Sequence, residues 1–277
     1  MTRVTVGLLA VFLTGSVLWA EGVRRVPAPS YSASSIVNAA SNQAGPIAPN
    51  TIVSLYGADL AYVTRAITAD DLHGQILPTT LSGTGVRILV GRLSANVYFI
   101  SPTQINFLVP SSLVAGPVDV QIGLDSRYGP AVKINLSRAA PALFQADERF
   151  IVGTRPDGSV VKKDSPVRPG EIVVLYATGL GIADRNLPDG QLPTVAYPIQ
   201  RSAEFRVQIG GHLLPASAVQ YVGVTPGFAG LYQINLKLPD VMEANPEIRI
   251  GFDEGMSPVN ILLPVKIDEN TATIAVP

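Results

Sequence analysis

Ile47-Ala-Pro-Asn-Thr-Ile-Val-Ser-Leu-Tyr-Gly-Ala-Asp-Leu60 returns further along the chain as Val167-Arg-Pro-Gly-Glu-Ile-Val-Val-Leu-Tyr-Ala-Thr-Gly-Leu180. Pro49 and Pro169, Tyr56 and Tyr176, and Leu60 and Leu180 are each 120 residues apart. Gln104-Ile105-Asn106, followed by Pro110, returns as Gln233-Ile234-Asn235, followed by Pro239, at a spacing of 129. Two copies of one folding unit therefore lie in tandem. Gly91 and Gly211 still stand 120 apart, so nine residues were added to the second copy between Gly211 and Gln233. They fall around 221–232, where the first copy has only Tyr98-Phe-Ile-Ser-Pro-Thr103. A loop that lengthens on a fixed framework is where specialisation is placed.

Each copy reads as short strands. In the first, the runs 51–56, 86–90, 96–100, 105–109, 118–123 and 131–136 are rich in Val, Ile, Leu or Tyr and bounded by Gly, Pro or Ser. Val118-Asp-Val-Gln-Ile122 puts apolar residues on one face and polar ones on the other. In the second, 172–178, 205–209, 218–222, 231–236, 247–251 and 259–265 behave alike. No window of helical length holds a 3.6 period; residues 66–72 allow one short turn of helix. Many short strands without crossover helices predict an all-β chain of two tandem immunoglobulin-like antiparallel β-sandwiches. The expected division is a signal peptide at 1–20, a linker at 21–35, a first sandwich at 36–138 and a second at 139–277.

The 277 residues suffice for about two domains. With 47% hydrophobic and only 15% charged residues, the chain is far too apolar to be disordered. A net charge of −1 offers no basic footprint for nucleic acid and no polybasic stretch for an anionic membrane surface. Arg3, the apolar run 4–18 and Ala20 have the form of a secretory leader. That run is short of the ~20 residues that span a bilayer. An uncleaved anchor is the alternative, and no membrane span is expected once the leader is removed. The expected location is secreted, periplasmic or cell-surface. The absence of cysteine excludes a disulfide framework and a thiol nucleophile.

Five stretches carry a family resemblance: Val37-Asn-Ala-Ala-Ser41, residues 46–57, Ser101-Pro-Thr-Gln-Ile-Asn106, residues 169–180 and residues 226–235. The pattern resembles the immunoglobulin-like IPT/TIG type of domain. It is still more similar to a family of exported two-module proteins of soil bacteria. The resemblance implies the fold and an exported location, and it implies no activity.

The residue types that perform chemistry are sparse. The only histidines are His73, in a polar loop, and His212, at a predicted hairpin tip where the repeat sets it against Arg92. No Gly-x-Ser-x-Gly elbow, phosphate-binding glycine loop or His/Cys cluster is present. Adjacent acidic pairs such as Asp70-Asp71 and Asp253-Glu254 point to opposite strand faces and make no glycosidase pair. Asp184, Asn186 and Asp189 form a weak calcium candidate at loop spacing. No cofactor and no resident metal are expected.

The binding candidates lie in and beside the added loop: Tyr221, Thr225, Phe228 and Tyr232. Aromatic side chains suit sugar rings. Phe228, between Gly227 and Ala229-Gly230, is either an exposed contact or a plug at the sandwich end or between the domains. The area an aromatic removes from water favours the plug. Tyr56 and Tyr176, recurring in apolar strands, are expected in the core. The leading expectation is a non-catalytic extracytoplasmic interaction or structural module whose partner is an envelope protein or a polysaccharide. One rival is a glycan-active enzyme using carboxylates from different strands, such as Asp189 with Glu171. The other is a rigid spacer with a stiff join at 139–144 and no pocket.

Overall fold

The computed structural model describes residues 27–147, 149–185 and 187–267. The expected leader, 1–20, lies outside them. No helix among the described residues is long and apolar enough to cross a membrane.

The chain is all-β. In the first half, Ile36–Asn38, Ile52–Tyr56, Gln104–Leu108 and Asn96–Ile100 pair side by side in that order, all antiparallel. Facing them, Val86–Val90, Gly116–Leu124 and Val132–Leu136 form the second sheet. Taken in chain order these are seven strands, with the first, second, fifth and fourth in one sheet and the third, sixth and seventh in the other. That is the constant-type immunoglobulin arrangement. The second half repeats it except at the seventh strand: residues 259–265, expected as a strand, make only isolated bridges, Leu262 with Phe150 and Glu247 and Val265 with Val167. Ala142–Leu143 and Gly153–Thr154 pair with successive stretches of one edge of Ile172–Thr178, whose other edge pairs with Tyr232–Lys237, which in turn pairs with Val219–Val224. Arg206–Ile209 pairs with Ile248–Phe252 in the opposing sheet. Among the described residues the only helical elements are three-residue 3-10 turns, one of them Ala69–Asp71 within the predicted short turn.

Burial follows the alternation. Val86-Arg-Ile-Leu-Val90 buries its first, third and fifth residues. Each half then encloses its own core, one built from residues between Ile36 and Leu136 and the other from residues between Leu143 and Val265. Residues 29–35, read as linker, lie against the first sandwich. Ser30 pairs with Ala58, and the Tyr31 hydroxyl accepts from the Ile122 amide at 2.6 Å and donates to the Pro130 carbonyl.

The duplication holds at the level of register. Ser54 pairs with Asn106, and Val174, 120 residues on, pairs with Asn235, 129 residues on. Both copies bulge at the same place, between Val97 and Phe99 and between Val219 and Tyr221. At the third strand the spacing differs from the expected 120. Inward-facing Val86, Ile88 and Val90 are matched by Phe205, Val207 and Ile209, at 119, and their partners Val120 and Ile248 agree. His212 therefore matches Leu93 rather than Arg92. A one-residue slip would turn every side chain to the wrong face, so burial decides the alignment. The spacing rises to 122 on the strand Val219–Val224, after the turn Ala216–Ala218, and to 129 on the strand Tyr232–Lys237. Most of the insertion thus sits in the 225–231 loop.

Candidate functional site

That loop does not project freely. It turns against the first sandwich, and the two halves are joined along a seam. The Thr178 hydroxyl accepts from the Ile52 amide at 3.0 Å and donates to the Gly230 carbonyl at 2.8 Å. The Tyr98 hydroxyl donates to the Ala229 carbonyl at 2.5 Å. Leu77 and Leu108 of the first half pack with Leu192 and Ala229 of the second in a separate apolar cluster. Backbone bonds from Leu77 to the Gly190 carbonyl and from Leu192 to the Gln75 carbonyl run beside it. Gly230, at φ +72°, is needed here: a Cβ would stand 2.4 Å from Leu108 Cδ1.

Asp189 fastens the rim of this seam. Its carboxylate accepts from the backbone amides and the hydroxyls of both Ser111 and Ser112, at 2.6 to 3.1 Å. Burial pushes its pKa up, but these hydrogen bonds outweigh burial and hold the carboxyl below its ordinary value. Asp184, the other acidic calcium candidate, is exposed and adds to burial in pushing the Tyr221 hydroxyl up to about 12. Asn186 lies outside the described residues. Among the described residues no three His, Cys, Asp or Glu side chains gather as a metal site.

Beside this clasp the halves leave a cleft of about 490 Å³. Its walls carry Asn50, Ser112, Asp184, Arg185, Gln191 and Gln200, together with the loop residues Ala229 and Gly230. Arg185 lies over the Tyr197 ring, 5.5 Å from its centroid. Clefts of this size at a domain boundary are common places for small ligands.

The four loop candidates divide. Phe228 is 54% exposed, so it is not the expected plug. The Gly227 amide bonds the Pro193 carbonyl, which holds the loop tip at the cleft's edge with the ring turned outward. Tyr232 is fully buried and its hydroxyl donates to the Gly181 carbonyl, so it is a core residue and offers no surface. Tyr221 is half-buried with its hydroxyl on the Tyr197 and Val224 carbonyls. Thr225 is buried, with a hydroxyl that has no hydrogen-bond partner. Tyr56 and Tyr176 also differ from expectation. They alternate outward from the core, Tyr56 being 38% exposed and Tyr176 half-buried beside the Thr154 hydroxyl.

The carboxylate pair of the enzymatic rival does not converge. Glu171 sits 3.5 Å from Arg155 Nε at the start of the strand Ile172–Thr178, whereas Thr178 at its other end touches the seam. Seven residues at about 3.3 Å each place Glu171 roughly 20 Å from the Asp189 side of the molecule. Cleft residues such as Gln191, Gln200 and Asn50 carry no local sequence signal, because the wall exists only once the sandwiches meet.

No protein-family model matches the chain, and no curated protein matches it. Among solved structures, the chain is similar to a Bacteroides ovatus SGBP-B from a mixed-linkage glucan utilization locus, in complex with a mixed-linkage heptasaccharide. That match has 10% identity and a TM-score of 0.33, over 87% of this chain and 43% of the other. A surface glycan-binding protein of Prevotella bryantii matches at 14% identity and a TM-score of 0.25, over 83% and 41%. Tandem immunoglobulin domains of titin match at 10% identity and a TM-score of 0.22, over 86% and 91%. The chain thus spans about two fifths of the length of the two glycan-binding structures.

Proposed function

We propose that this chain is a non-catalytic, extracytoplasmic binding module of the IPT/TIG-like kind, and that its ligand is a polysaccharide held in the cleft between the two sandwiches. The carrying observation is the cleft itself: about 490 Å³, walled by amides, hydroxyls and charged groups from both halves, with the exposed Phe228 on the adjoining loop. Sugars present hydroxyls in their ring plane and apolar C–H faces above and below it. A polar-walled cleft with an aromatic ring at its edge meets both demands.

The clasp supports a binding role over that of a plain spacer. Walls fixed by Asp189, Thr178 and Tyr98 need little ordering when a ligand arrives, which lowers the entropic cost of binding. A spacer needs a stiff join and has no use for a cavity beside it.

The test is a glycan array probed with the mature protein and with Phe228→Ser, alongside a pull-down from envelope extracts. The reading expects the wild type to select a set of oligosaccharides and the variant to lose most of that signal. It is wrong if the array stays blank, or if the variant binds like wild type.

A further inference from the structure

The cleft beside Asp189 does not end there. A second cavity of about 240 Å³ shares Ile182 and Gln200 with it. A third, of about 550 Å³, shares Ala115 and Arg138 with the second. On the first sandwich the walls are consecutive: Ser111 and Ser112 face the first cavity, Leu113 and Val114 the second, and Ala115 both the second and the third. On the second sandwich Gln200 leads to Arg201, whose guanidinium pairs with Glu254 at the wall of the third cavity. Neighbouring cavities thus share wall residues in series from the Asp189 clasp to the 139–142 join.

We infer that the three cavities form one trough and that it takes a neutral polysaccharide lengthwise, so that one chain crosses both sandwiches. The inference rests on the binding reading above and adds the shape and charge of the ligand.

Charge argues for neutrality. Arg138, Arg185 and Arg201 along the trough are balanced by Asp184, Asp189 and Glu254. Several are already engaged: Asp189 by Ser111 and Ser112, Glu254 by Arg201, and Arg185 by the Tyr197 ring. A polyanion finds no net positive field here, whereas a hydroxyl-rich chain can use the remaining lone pairs and the amides of Asn50, Gln191 and Gln200. Apolar spots lie between them: Val114 is 81% exposed and Ile182 is exposed beside it, placed for C–H faces of sugar rings.

Shape argues for a chain lying along the surface rather than for a peptide adding a strand. Strand addition needs a free sheet edge with a row of unpaired backbone groups. The walls at 111–115, 182–185 and 187–189 are turns and loops apart from the single bridge Ala183–Ile199, and the edge strands at the third cavity, Gln43–Ala44 and Gly255–Met256, are only two residues long.

The experiment is calorimetric titration with cello-oligosaccharides from disaccharide to octasaccharide, and with oligogalacturonides of the same lengths, at low and high salt. Affinity for the neutral series should rise about tenfold or more between disaccharide and hexasaccharide, about 1.4 kcal/mol, and should change little with salt. Ala44→Trp, an exposed position lining the third cavity, should remove most of the gain from length. Its thermal unfolding is recorded to show that it is folded. Binding that is flat with length, or unaltered by Ala44→Trp, overturns the trough and leaves the cleft reading standing. Tighter, salt-sensitive binding of oligogalacturonides overturns neutrality. No binding of either series by a protein that selects other glycans on the array overturns the trough inference and leaves the cleft reading standing, whereas a blank array defeats the cleft reading itself.

Discussion

The side-chain amide of Asn50, in the first sandwich, donates to the hydroxyl of Tyr232, in the core of the second, at 2.7 Å. That hydroxyl in turn donates to the Gly181 carbonyl, so one buried group joins three segments across the seam. Removing it orphans the buried Gly181 carbonyl and releases the half-buried Asn50 amide to the cleft. Tyr232→Phe should therefore cost about 1–3 kcal/mol, the penalty of leaving buried polar groups unpaired. Urea unfolding of variant and wild type measures it. A loss below about 0.5 kcal/mol, the level of an ordinary surface change, would contradict the structural role given to the hydroxyl.

Gly190 and Gly158 make a matched pair. Both have positive φ, +73° and +85°. A Cβ on Gly190 would stand 2.3 Å from the Asn96 side-chain nitrogen across the seam, whereas nothing lies within 4 Å of one on Gly158. Gly158→Ala should cost about 1 kcal/mol from backbone strain alone. Gly190→Ala should cost clearly more, because Asn96 is buried and bonded to the Leu77 carbonyl. Equal losses would mean that the seam is not packed there as described.

The Asp189 clasp predicts a pH dependence. Burial raises its pKa, but the bonds from Ser111 and Ser112 prevail and hold it below its unfolded value near 3.9. The stabilisation it brings is complete above about pH 5 and is lost as pH falls through the depressed folded value. Asp189→Asn lacks the charge at every pH. Wild type should be the more stable at neutral pH, by about 1–2 kcal/mol, and the gap should close toward pH 3. Glu254, held by Arg201 at about 2, and Asp147, held at about 2 by Lys163 and the backbone amides of Arg149 and Phe150, also lose their charge in strong acid. The difference between the two proteins is therefore the quantity to read. A gap that stays constant from pH 7 to pH 3 excludes the carboxylate as its source.

Phe228→Ser should leave stability within about 0.5 kcal/mol of wild type, as expected for a side chain already half in water. The same change should weaken oligosaccharide binding about tenfold, the loss of a stacking ring. A large drop in stability would mean that the ring is a packing element in solution.

Much of the fold was legible because it rests on local alternation and on a repeat. Ile172-Val-Val-Leu-Tyr-Ala-Thr178 announces a strand, and its likeness to the run from Ile52 to Tyr56 announces a second sandwich. Alternation states that neighbours face apart; it does not state which set faces in. That is why the pattern alone sets Tyr56 and Tyr176 in the core and makes the spacing at Gly91 one residue too long. The seam was not legible. Ser111 and Asp189 are 78 residues apart, and Pro188-Asp189-Gly190 reads as ordinary turn chemistry until the first sandwich supplies four donors. Phe228, in the loop, and Tyr232, which opens the next strand, are four residues apart, yet one is in water and the other in the core. Only the path of the 225–231 loop against the first sandwich separates them.

The central claim is that a neutral oligosaccharide occupies the seam and touches both sandwiches. Amide NMR of the protein during titration with cellohexaose tests it directly. The account predicts shifts on both walls, at Ser112 and Ala115 on one side and at Gln191, Gln200 and Arg201 on the other. Shifts confined to one sandwich, or none at saturating sugar, would contradict it.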